Sequence, residues 1–259
     1  HNGVLDMLRY TRYEIRRSVL SFSSLFYTVV MPIGLYLLFG ALQDYSSVKI
    51  ADGNAAAYVM IGMALYGAIS STVSISGLTV VENVAGWGRQ LALTPLSTGK
   101  YLFSKAAVAF VMAALPVVAV NIAGRLTGIE MPISQQILCA ALSIFCALIF
   151  AFMGLAVGLL IPSENAVSIA NGVIVIFAFF GTLFAPLTKD LMPYARFTPL
   201  YGAAEIARYP FSKGLTIISG SGAEWNMTEP LWYGIVNFSV WAVIFIVATA
   251  LLMGRSTKR

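Results

Sequence analysis

Charge is scarce in this chain. Only 10% of its 259 residues are Asp, Glu, Lys or Arg, against about 25% in an ordinary soluble domain, and the mean hydropathy is +0.83. That balance excludes a water-soluble globular protein and places the chain in a bilayer. Histidine is almost missing: the single one is His1. No apolar stretch therefore offers the imidazole that a Ser–His hydrolase or a histidine-bound zinc needs. The two cysteines, Cys139 and Cys146, are separated along a helix by about 10 Å, beyond the reach of a disulfide, and read as small packing residues. No GxxxxGK[ST] loop occurs, so the chain does not cradle ATP phosphates by that route. The long apolar runs also lack the internal carboxylates or bases of an ion-coupled carrier and the charged ring or filter of a channel. What these absences leave is a passive membrane scaffold, or a transport path driven from outside the chain.

What is present is a set of long uncharged runs, at 18–43, 53–81, 106–124, 131–163, 165–188 and 230–254. Each is long enough to cross a bilayer as a helix, which takes roughly 17–25 residues. Crossing segments in lipid must satisfy their own backbone amides, and these runs do not alternate as barrel strands do. The fold class expected is an all-α integral membrane protein with six transmembrane helices. They fall at about 19–42 (kinked at Pro32), 56–80, 100–124, 135–160, 164–186 and 231–253. The first run reads as a retained helix rather than a cleaved signal peptide. One membrane domain spans 1–259, with no charge run or linker that would split off a soluble part.

A net charge of +5 in a soluble protein would point to nucleic acid. Here the positive-inside rule explains it, and no nucleic-acid partner is expected. With the N-terminus in the cytoplasm, the inner segments hold ten Lys and Arg and the outer loops six. Both termini then lie on the cytoplasmic side of a bacterial-type plasma (inner) membrane. Residues 3–17 space Val4, Leu8 and Ile15 on one side and Arg9, Arg12 and Arg16 on another. With Arg17, these arginines suit an amphipathic helix lying on lipid phosphates. The alternative is a solvated basic flank. In the second span, Gly62, Gly67 and the serines from Ser70 to Ser76 allow close helix packing, or line a polar path. Gly154 and Gly158 form a GxxxG spacing suited to a tight crossing or a dimer face, and Ser163 is placed to cap the fifth helix. The segment 187–230, rich in proline and aromatics, reads as two short re-entrant helical pieces.

Between the second and third spans lies a basic segment, 82–105. Glu82 to Leu93 suits a short helix, and Thr94-Pro95 is a good N-cap and first-turn pair for the helix that follows. Outside the bilayer, this segment is available to a partner.

Two stretches resemble the membrane subunit (permease) of ATP-binding-cassette type-2 transporters, in particular the drug-resistance-exporter branch. One is Glu82…Gly86…Arg89…Leu91-Ala-Leu-Thr-Pro95-Leu-Ser…Lys105. The other is Gly181…Phe184-Ala-Pro186…Leu191-Met-Pro193…Thr198-Pro199-Leu-Tyr201…Arg208. In order and topology the resemblance covers essentially the whole chain. It implies a dimer, of identical or related permeases, on two separately encoded cytoplasmic ATPase subunits. ATP and Mg would bind that partner, with no cofactor on this chain. Residues 83–93 would be a coupling helix seated in the ATPase, and Glu82, Trp87, Arg89, Leu91, Leu93 and Pro95 its coupling residues. Trp87 and the leucines are equally suited to rest in the lipid interface. Phe184, Pro186, Pro193, Pro199 and Tyr201 would gate the exit of a path between two permease copies, or belong to a plain extracellular cap. No aromatic stripe follows one helix face, which argues against a lipid-linked glycan. The expected function is export of a hydrophobic or amphipathic molecule, such as a drug, antibiotic or lipid, by a non-catalytic subunit. The alternatives are a non-transporting anchoring or assembly subunit and an ATP-independent carrier.

Overall fold

The computed structural model describes residues 2–84, 98–219 and 225–256. It is organised around α4 (Ala55–Glu82). This helix is apolar or small on every side, the pattern of a helix surrounded by protein. Asn54 caps it by accepting from Ala57 N at 3.1 Å. Packed around it are α5 (Thr98–Leu126), α6 (Ile133–Leu160) and α7 (Glu164–Phe180). The last long helix, α10 (Leu231–Ser256), lies against α6. The protein is an all-α membrane protein with small β additions. Ala55–Glu82, Phe103–Leu126, Ile133–Leu160 and Leu231–Arg255 are long and apolar enough to cross a bilayer, and Phe26–Ala41 and Glu164–Phe180 are apolar but shorter.

The chain begins with α1 (Asn2–Leu20). Ser21 separates it from the next helical stretch, and its Oγ accepts from Ser24 N at 3.3 Å, as an N-cap does. That stretch comprises α2 (Phe22–Leu25), a π turn (Phe26–Val30), α3 (Met31–Tyr36) and a second π turn (Leu37–Ala41). The distortion expected at Pro32 takes this form. Proline has no N–H and its ring crowds the carbonyl four residues back. In the π turn just before it, Met31 N donates to Phe26 O, the wider step that relieves such crowding.

Gly154 and Gly158 serve packing inside the chain. A Cβ on Gly154 would collide with Val73 O, and one on Gly158 would lie 2.8 Å from Gly77 O. The GxxxG face is therefore occupied by α4. Ser70 donates to Asn171 Oδ1 at 2.7 Å, and Asn171 Nδ2 to Ser74 at 2.8 Å, so two of the serines join α4 to α7. Ser163 caps α7 through Asn165 N at 3.2 Å.

The structure departs from the sequence reading at the end of the bundle remote from α1, in a compact cap. It contains α8 (Met192–Ala195) and α9 (Pro199–Ser212), the two short helical pieces expected. It also contains a three-stranded sheet in the order β3–β4–β5, formed by Leu187–Thr188, Leu215–Ser219 and Asn226–Thr228, with β3 and β4 parallel and β4 and β5 antiparallel. A hairpin, β1 (Lys49–Ile50) with β2 (Gly53–Asn54), sits at the same end. Asn54 N joins it to Glu130 O at 3.1 Å. Helix α7 stops at Phe180, short of the expected 186, because Gly181 and Thr182 turn the chain, Thr182 at φ 62.

Candidate functional site

Two sites stand out, one at each end of the bundle. At the α1 end, four charges join three helices. Glu82, in the last turn of α4, accepts from Arg17 at 2.6 Å and lies 3.6 Å from Lys105. Lys105, near the start of α5, reaches Glu14 of α1 at 2.7 Å. The Glu14 side chain is only 8% exposed, and its Oε2 has no hydrogen-bond partner among the described residues. Tyr101 donates to Asn83 Oδ1 at 3.0 Å beside them. Arg9, Arg12 and Arg16 are exposed along α1, whereas Arg17 is engaged by Glu82. This network clamps both flanks of the segment 85–97 to α1. Trp87, Arg89, Leu91, Leu93 and Pro95 lie outside the described residues.

The second site lies under the cap. A cavity of about 350 Å³ opens between the N-terminal half of α4, the turn after α7, the hairpin region and α9. Its walls include Phe184 and Pro186, two of the expected gate residues. Phe184 packs edge-on to Tyr66 and Phe179, with ring centroids at 4.7 and 5.0 Å, which fixes its orientation. The other three expected gate residues stand elsewhere. Pro193 starts α8 and Pro199 starts α9, where a missing N–H costs nothing. Tyr201 is fully buried in the joint between the cap and α10, and its hydroxyl donates to Glu229.

Arg208 dominates the cavity's polar chemistry. It is 2% exposed, and its guanidinium lies 3.9 Å over the Tyr58 ring. Nε donates to Tyr58 O at 3.3 Å, and Nη1 to Thr182 O at 2.9 Å and to Thr182 Oγ1 at 3.3 Å. Gly62 makes room for it, since a Cβ there would collide with Nη2 and come within 2.9 Å of Leu183 O. One turn earlier on α9, Glu205 accepts from Thr216 at 3.2 Å. Burial pushes its carboxyl up to about 7, with Arg208 opposing and Glu229 adding to the shift. Behind it, Glu229 takes both Arg196 Nε at 3.0 Å and Arg196 Nη2 at 2.6 Å, and this bond raises the Arg196 pKa. Tyr58, Thr182, Glu205, Glu229 and Asn237 escaped the sequence reading. The one available signal was Glu205-Ile-Ala-Arg208, two opposite charges one helical turn apart in an otherwise uncharged stretch.

An all-α bundle of apolar helices, with an N-terminal helix salt-bridged to the mouth of one loop and a folded cap at the opposite end, defines an integral membrane protein. The profile of the ABC-2 type transporter family matches residues 7–211, and the chain belongs to that family. It is also similar to the protein of Bacillus subtilis (strain 168) named "Putative transport permease YvfS". The two are 24% identical over 183 residues, which cover 70% of this chain and 73% of that protein.

Proposed function

We propose that this chain is the membrane subunit of an ATP-driven exporter. Its cargo would be a hydrophobic or amphipathic molecule, of the drug, antibiotic or lipid kind. It works as a dimer, with a second copy or a related permease, on two separate ABC ATPase subunits. The α1 end faces the cytoplasm with both termini, and the cap faces outward. The observation that carries the reading is the Arg17–Glu82–Lys105–Glu14 network. Motion of an ATPase docked on 83–93 would pull on the end of α4 and the start of α5 as one body with α1. Because α4 is surrounded by the other helices, a lever on its end moves the bundle rather than a loop. Glu82, Trp87, Arg89, Leu91, Leu93 and Pro95 would be the coupling residues, with Trp87, Leu91 and Leu93 as the apolar anchor. Phe184 and Pro186 close the outer side.

Purification in mild detergent, with identification of stoichiometric partners and their ATPase activity, tests the proposal. The expected result is one nucleotide-binding subunit per permease, stimulated by a hydrophobic compound, with stimulation lost in Arg89→Glu and Leu91→Asp variants that still insert. A partner whose ATPase ignores substrate would favour an anchoring subunit. Transport driven by an ion gradient alone would favour a carrier.

A further inference from the structure

The cavity under the cap has more polar equipment than an outer plug requires. Its walls are largely apolar, including Val48, Ile50, Val59, Leu183, Phe184 and Trp225. Its volume of about 350 Å³ lies within the roughly 300–1,000 Å³ range of small-molecule pockets. Arg208 also lines it, with no carboxylate within ion-pair distance among the described residues. A buried cation without a counter-ion is costly. The three acceptors on Nε and Nη1 leave Nη2 without a hydrogen bond among the described residues. Tyr58, 4% exposed, also lines the cavity. Its ring lies beneath the guanidinium, whereas its hydroxyl is enclosed by protein beside Thr216 and Ile217. Thr182, which holds the guanidinium through two oxygens, has φ 62. A β-branched residue pays for that backbone, and such strain concentrates at ligand clamps.

We propose that this cavity binds an amphipathic anion, its apolar body against the cavity wall and its carboxylate or phosphate head on the Arg208 guanidinium. A structural role for Arg208 accounts for Nε and Nη1. It does not account for the open volume or the unbonded Nη2. Glu205 is the one carboxylate beside the site on α9, and the Thr216 hydroxyl occupies it. Its raised pKa leaves it only partly ionised near neutrality, so it does not fully neutralise Arg208. An anionic head supplies the missing counter-charge through a charge-assisted, two-pronged bond. The site needs no ATPase and stands independently of the exporter reading.

Trp225 on the cavity wall provides the readout. The full chain is placed in nanodiscs of neutral phosphatidylcholine, and quenching of tryptophan fluorescence is measured with bromo-undecanoate, bromo-undecanol and brominated-chain phosphatidylglycerol. The Trp225 contribution is the difference between the wild type and Trp225→Phe. Saturable quenching of Trp225 by an anionic probe is expected, about ten-fold or more tighter than by the alcohol. If the free acid saturates the site, the ligand is a single-chain amphiphile; if only phosphatidylglycerol does, it is a lipid headgroup. Tyr58→Phe, which keeps the ring beneath the guanidinium, should leave anion binding close to that of the wild type. Arg208→Lys, which keeps the charge but not the fork, should weaken it several-fold. Equal quenching by acid and alcohol, no saturable Trp225 quenching by either anion, or wild-type binding in Arg208→Lys would each overturn the proposal.

Discussion

Asn237 of α10 reads the backbone of the cap at Gly202. Its Oδ1 accepts from Gly202 N at 2.9 Å, while Nδ2 donates to Arg196 O at 2.7 Å and Thr198 O at 3.0 Å. One amide thus serves three backbone groups around the start of α9, where neither lipid nor water replaces it. Asn237→Ala should destabilise the protein by about 1–3 kcal/mol, the cost of stranding buried polar groups. The loss should appear as a lower Tm in detergent. Trp241, a turn further along, donates to Phe197 O at 3.0 Å, and Trp241→Phe should produce a smaller effect because only one group is lost.

Gly62 and Arg208 predict a steric result. A methyl group at position 62 would strike Nη2 and crowd Leu183 O, so Gly62→Ala must displace either the guanidinium or the turn after α7. Small-to-large changes in packed cores cost about 1–3 kcal/mol, and this one should sit at the upper end because the obstacle is a charged group held by three acceptors. Arg208→Met in the same background should recover part of the Tm. No recovery would mean that Leu183 O alone sets the cost.

Glu205 makes stability depend on pH. Its ordinary value is 4.5, and in the folded chain burial takes it up to about 7. The unfolded chain therefore ionises first. Its contribution to stability is full below about 4.5, falls as pH rises from there to about 7, and is flat above. Removing the charge should remove this decline, so the Tm of Glu205→Gln relative to wild type should rise across pH 4.5–7 and level off beyond. A difference independent of pH would assign the decline to other groups.

The bundle was legible in the sequence because lipid leaves so few options: an uncharged run flanked by charges has to become a helix. Local signals held where one residue decides the outcome. Ser163 caps α7, and Pro32 distorts the first apolar helix through the π turn before it. The cap was harder to read. Leu215-Thr-Ile-Ile-Ser219 is a short uncharged run too brief to cross, and nothing local tells a strand from a loop in such a piece. Its status as β4 comes from pairing with Leu187–Thr188 and Asn226–Thr228, which are distant or separated by a loop. Gly154 and Gly158 displayed a spacing but not the helix that fills it. Arg208 was visible as a residue, yet its meaning depends on Tyr58 and Thr182, which tertiary folding alone brings to it.

The Glu14–Lys105–Glu82–Arg17 network lets stability be tested apart from the coupling proposed for it. Lys105 and Glu14 are 14% and 8% exposed, so removing one leaves the other's charge buried. Lys105→Met should cost about 3 kcal/mol, and Glu14→Gln combined with Lys105→Met should cost less than Lys105→Met alone, since no bare carboxylate remains. Glu82 and Arg17 are 32% and 51% exposed, and an exposed pair contributes only about 0–1 kcal/mol. Glu82→Gln should therefore leave Tm nearly unchanged while it unties α1 from the end of α4. If the network carries force from the segment 85–97 into the bundle, substrate stimulation of a co-purified ATPase should fall several-fold in Glu82→Gln at unchanged complex yield. Arg17→Glu with Glu82→Arg should restore it only in part, because Lys105 remains beside position 82. Normal stimulation in Glu82→Gln would confine these charges to holding α1 in place and leave α4 and α5 to transmit motion through their backbones alone.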